Sequence, residues 1–130
     1  MMLTLEEIKK IPKKPLTNFE LDSYAETIPY FRGCFMRDRL PYYCKRIECA
    51  IINLDNSSGY GTHWVCYIKR GNKVNYYDSF GVTPPIELLH YWGDKAVVSF
   101  NYSVQQKSGE VICGHLCLKF LVENVNKICY

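Results

Sequence analysis

The 130-residue chain carries 16 Lys and Arg against 13 Asp and Glu, a net charge of +3, with 48% hydrophobic and 22% charged residues. That balance excludes intrinsic disorder, collagen and coiled coil, and the length is that of one domain able to fold without a metal or disulfide. No apolar run approaches the roughly 18 residues of a membrane span. The opening MMLTLEEIKK is amphipathic and places Glu6 and Glu7 ahead of its lysines where a signal peptide is basic and then apolar, so a soluble intracellular protein with no membrane partner is expected.

Two short helices are predicted in the first 30 residues, at the periphery of a core spanning 31–130. Thr4 with Glu7, and Thr17 with Glu20, have the spacing of capping boxes. Leu5, Ile8 and Ile11 form the first apolar stripe, which Pro12 stops; Phe19, Leu21, Tyr24 and Ile28 form the second, before Pro29. FRGCFMRDRLP then reads as a charged, aromatic connector. ECAIINL (48–54) is a near-continuous apolar run, as in a strand buried on both faces. DNSSGYGT is loop by composition. HWVCYIK (63–69) and KVNYYDSF (73–80) flank Arg70-Gly71-Asn72 and predict a hairpin. A short helix over 85–92, a strand over 96–104 and a loop QQKSGEVI follow. GHLCLKFLVENV closes the pattern as an amphipathic helix with Leu116, Cys117, Phe120, Leu121 and Val125 on its apolar face. Strands among helices with a hairpin predict an α+β fold with a central, mostly antiparallel sheet.

The hairpin brings a histidine and a carboxylate together. With Arg70-Gly71 as the turn, opposed positions sum to 141 and His63 faces Asp78; with Gly71-Asn72 they sum to 143 and the two are diagonal neighbours. Either two-residue register puts both side chains on one face, whereas a three-residue loop would put them on opposite faces. An imidazole beside a carboxylate is the base-and-orienter pair of nucleophilic enzymes. The chain has seven cysteines, an odd number, read for the most part as reduced core side chains. Cys113-Gly114 differs, because a thiol at the start of a helix meets unpaired N–H groups and the positive end of the helix dipole, which favour thiolate. Gly114 leaves room for a close approach. Gln105-Gln106, just upstream, offers an amide donor for a developing oxyanion. Cys113, His115 and Cys117 do not have the paired spacing of a zinc site, and neither a metal nor another cofactor is expected.

In the order His, Asp, Gln, Cys, the strings GTHWVCYI, YYDSFG and Q-x6-CGHLCLKFL resemble the adenain-type cysteine proteases of DNA viruses and Polinton/Maverick-type elements, relatives of the SUMO-specific proteases. The likeness runs from about Phe31 to Leu121. It implies a papain-like core in which Cys113 is the nucleophile, His63 its base, Asp78 the orienting acid and Gln106 the oxyanion donor, with Gln105 the competitor for that last role. Trp64 is expected to pack near the site. The implied activity is endopeptidase processing of viral or element-encoded structural precursors near small Gly-type residues, in the host nucleus or cytoplasm and the virion. A deconjugating protease for a ubiquitin-like protein and a non-catalytic module on the same fold stay open. Adenovirus endopeptidase is stimulated by DNA and a short peptide. Here the sequence stops soon after the nucleophile helix, so surfaces built from later segments are expected to be absent or replaced. Lys9, Lys10, Lys13 and Lys14 keep DNA open as a partner, beside an activating peptide.

Overall fold

The computed structural model describes residues 1–55, 63–101, 103–106 and 111–127. Thr4 and Thr17 open helices α1 (Leu5–Lys9) and α2 (Asn18–Ala25). Each threonine hydroxyl accepts the N–H of the glutamate three residues on, and that glutamate accepts the threonine N–H in return. Such a cap is worth about 0.5–2 kcal/mol. Helix α2 buries Leu21 and Ala25, which are four apart; Phe19 lies two residues off that line and is 79% exposed, so it is not part of the stripe.

Five strands follow: β1 (Phe31–Met36), β2 (Ile47–Asn53), β3 (Trp64–Arg70), β4 (Lys73–Tyr77) and β5 (Val97–Phe100), with helices α3 (Ile86–Trp92) and α4 (Cys113–Asn124). They form one sheet in the order β1-β2-β3-β4-β5. The fold is α+β, as the sequence predicts. The three central strands are antiparallel, whereas both outer pairings, β1 with β2 and β4 with β5, run parallel, so the sheet is mixed. The stretch predicted as a connector contains β1. Its signal is hidden by a bulge between Phe31 and Cys34, where Gly33 takes φ 136°, and by half-burial of every residue, which removes any alternation. Helix α2 covers this edge, with the Cys34 N–H donating to Asp22 at 2.9 Å.

The continuous apolar run of β2 has the physical cause expected for it, since both faces of the sheet are covered. Cys49 and Ile51 join Cys66, Ile68 and Tyr77 beneath α4, where Cys117, Leu118 and Leu121 are buried. Ala50 and Ile52 join Val65, Tyr67, Val74 and Tyr76 on the other face, under Leu88 and Trp92 of α3. Each large apolar side chain buried this way contributes about 1.5–3 kcal/mol. The first 30 residues, expected at the periphery, supply Leu3, Ile8, Ile11, Leu16, Leu21, Ala25 and Ile28 to the α4 side of this core. At the other end of α4, the Arg70 guanidinium donates to the carbonyls of Asn124 and Val125, satisfying acceptors that the helix leaves open. No helix among the described residues is long and apolar enough to cross a membrane.

One carboxylate lies within the sheet. Glu48 of β2 is fully buried and takes four donors: the Arg32 guanidinium at 2.8 Å, the Lys45 N–H at 2.7 Å, and the Tyr67 and Tyr91 hydroxyls at 2.6 and 2.9 Å. Burial pushes its pKa up, but these hydrogen bonds outweigh it and hold the carboxyl below its usual range.

Candidate active site

The hairpin fixes the geometry of the site. Arg70 pairs with Lys73 and Cys66 with Tyr77, so Gly71-Asn72 is the turn and opposed positions sum to 143. Gly71 takes φ 60°, at the turn position that favours glycine. In this register His63 lies opposite Phe80 and diagonal to Asp78, and both contacts form. His63 Nε2–H donates to Asp78 at 2.7 Å, and the His63 and Phe80 ring centroids are 4.7 Å apart. Asp78 is 1% exposed, and the oxygen facing His63 also accepts the Phe80 N–H at 2.8 Å.

Cys113 is the first residue of α4, and its thiol meets the His63 imidazole. Ile112, at the N-cap, brings no capping side chain, which leaves the helix N–H groups to the thiol. Burial works against a Cys113 thiolate, but hydrogen bonds from His63 and from the Trp64 and Gly114 backbone N–H groups outweigh it, so the thiol pKa falls. Burial likewise works against a His63 imidazolium, yet the Asp78 hydrogen bond and the Cys113 sulfur raise its pKa to about 9. The six described cysteines are all free. Burial pushes Cys34, Cys44, Cys49 and Cys117 upward, the opposite of Cys113.

The two glutamines part company. Both backbone N–H groups donate to the Ser79 carbonyl, at 2.7 Å from Gln105 and 3.2 Å from Gln106. The Gln106 side chain is buried, and its Oε1 accepts the Ser79 hydroxyl at 2.8 Å; Gln105 is exposed, and its Oε1 accepts the Tyr77 hydroxyl at 2.7 Å. Trp64 packs as expected, buried, with its indole N–H donating to the Leu16 carbonyl at 3.0 Å. What approaches Gly114 is a pair of leucines, since a Cβ there would lie 3.2 Å from Leu21 and 3.4 Å from Leu16. His115 bonds the Pro12 carbonyl and Cys117 the Trp64 carbonyl, so the Cys-His-Cys bunch faces separate partners. Of the N-terminal lysines, Lys9 pairs with Glu6 and Lys14 with Glu20. DNSSGYGT beyond Asp55, Tyr102 and Lys107–Glu110 lie outside the described residues.

Three contributors were not singled out from the sequence. Ser79 and Phe80 sit in the YYDSFG string, where they read only as spacing. Asn101 gives no local signal; its amide brackets Asp78, accepting the Asp78 N–H at 3.1 Å and donating to the Asp78 carbonyl at 2.6 Å.

This arrangement predicts a reactive thiol. Iodoacetamide at pH 7 should alkylate Cys113 well ahead of the other cysteines, read by peptide mass mapping. The lowered Cys113 and raised His63 titrate as a pair, so thiolate and imidazolium coexist from below the ordinary thiol range up to about pH 9. His63→Ala should move the alkylation midpoint upward; an unchanged midpoint would show that the imidazole does not activate the sulfur.

No protein-family model matches the chain, and its sequence matches no curated protein. Among solved structures it is similar to the crystal structure of the ASFV pS273R protease, with a TM-score of 0.61 and 18% sequence identity, over 92% of this chain and 60% of that one. The two share a fold, and this chain spans 60% of the ASFV protease's length.

Proposed function

We propose that this protein is a cysteine endopeptidase that processes structural (capsid) precursors encoded by a DNA virus or a Polinton/Maverick-type element, cutting near small Gly-type residues. The reading is carried by the convergence of Cys113, His63 and Asp78 in one hydrogen-bonded chain, on a fold shared with a protease. The Cys113 thiolate attacks the peptide carbonyl carbon. With Nε2–H held by Asp78, Nδ1 is the His63 nitrogen left for the sulfur, and its proton passes to the leaving amine. His63 then takes a proton from water, the hydroxide attacks the thioester, and the thiolate departs. The Cys113 N–H and the Gln106 amide N–H stabilise the oxyanion in both halves. The family resemblance supplies the substrate class, and the buried amide of Gln106 supports its role over the exposed Gln105.

The test offers the protein a Gly-Gly-containing linear peptide and a ubiquitin-like conjugate. Cleavage of the linear peptide supports processing, and cleavage of the conjugate alone transfers the protein to deconjugation. Failure on both, with slow Cys113 alkylation, marks a non-catalytic module. Gln106→Ala is expected to lower kcat by roughly 10²-fold, the cost of one oxyanion donor. A larger loss from Gln105→Ala would reassign the donor.

A further inference from the structure

Asp78 and Ser79 are adjacent in sequence, yet their side chains take different partners. Asp78 reaches the imidazole, while the Ser79 hydroxyl reaches Gln106 Oε1 at 2.8 Å. Ser79 is 1% exposed, so no substrate touches it, and Gln106 is 3% exposed. An amide has two ends of opposite character. With the hydroxyl donating to Oε1, the N–H end of Gln106 faces away from Ser79. Rotating the amide by half a turn would present its oxygen instead, which repels an oxyanion.

We infer that Ser79 is a positioning residue that fixes the donor end of the Gln106 amide toward the reacting carbonyl. The inference rests on the cysteine-hydrolase reading of the site. Main-chain contacts support it, because the Ser79 carbonyl accepts both the Gln105 and Gln106 N–H groups, pinning loop and side chain to one residue. That residue is held in turn. Asn101 brackets the Asp78 backbone on both sides, so the peptide between Asp78 and Ser79 is a common base for the acid and the oxyanion donor. A buried side chain locked this way keeps its orientation when charge develops and needs no rearrangement then.

The experiment is a double-mutant cycle of Ser79→Ala and Gln106→Ala in the full chain. It is read with p-nitrophenyl acetate, with the linear peptide, and with iodoacetamide. Ester and peptide turnover pass through an oxyanion; alkylation by iodoacetamide does not. Ser79→Ala should lower kcat for ester and peptide about 10-fold, less than the loss of the donor itself, with KM within about twofold and alkylation unchanged. In the Gln106→Ala background it should have no further effect. An equal, additive loss in that background would overturn the inference. So would an equal slowing of alkylation, which would mean that Ser79 acts through Asp78 and His63. Ester turnover without peptide cleavage would sink the endopeptidase reading and leave the Ser79 result standing. A wild type that alkylates at Cys113 but turns over neither would overturn both.

Discussion

Cys113→Ala is expected to reduce peptide cleavage by at least about 10⁴-fold while the circular dichroism spectrum and denaturation midpoint stay close to wild type. Alanine fills the first helical position without strain, and the change removes a single sulfur atom at the edge of the core, so the fold is kept. What is lost is the sulfur that, among the described residues, touches the His63 ring and the Trp64 and Gly114 N–H groups. Cys117, one turn further along α4, cannot substitute. It is 1% exposed, its thiol faces the Trp64 carbonyl, and burial drives its pKa up. Cleavage assayed with purified variant should fall to background. Retention of more than about one per cent would place the nucleophile elsewhere.

The second large effect concerns stability. Arg32→Ala removes the charged partner of Glu48 and leaves a fully buried carboxylate with neutral donors only. Breaking a buried ion pair on one side costs about 3–5 kcal/mol, whereas Glu6→Ala, at the exposed Lys9 pair, should cost less than about 1 kcal/mol. Urea denaturation at pH 7 separates the two, and similar midpoints for both variants would contradict the account. Because the folded Glu48 pKa is depressed, its contribution is complete above the unfolded carboxylate value of about 4.3. It is lost as pH falls below that, through the folded value. The gap between wild type and Glu48→Gln should therefore narrow on acidification.

Much of the site was legible because it depends on short-range geometry. Two hairpin registers both placed His63 and Asp78 on one face, and the structure selects the one with Gly71 in the turn. Helix periodicity placed Cys113 at the start of α4. The fold was less legible where a strand lost its alternation. β1 is bulged and half-buried throughout, so Phe31–Met36 carries no period-two signal, and its parallel pairing with β2 follows from tertiary contacts alone. The supporting residues were hidden for a different reason. Asn101 and Ser79 act through hydrogen bonds to positions far along the chain, and nothing in the flanking sequence marks such a bond.

The N-terminal segment and α4 form one apolar layer, and this sets a timetable for the molecule as it is made. Leu16 and Leu21 bear on Gly114, and the Pro12 carbonyl bonds His115, so a segment that precedes the sheet is completed by the helix that follows its last strand. His63 leaves the ribosome about fifty residues before Cys113, a lag of a few seconds at roughly 5–20 residues per second. During that interval the imidazole and its carboxylate exist without a sulfur to activate, and the layer beneath the sheet has no lid. A chain assembled in this order acquires Cys113, and with it the complete candidate site, only with the helix that finishes its apolar layer.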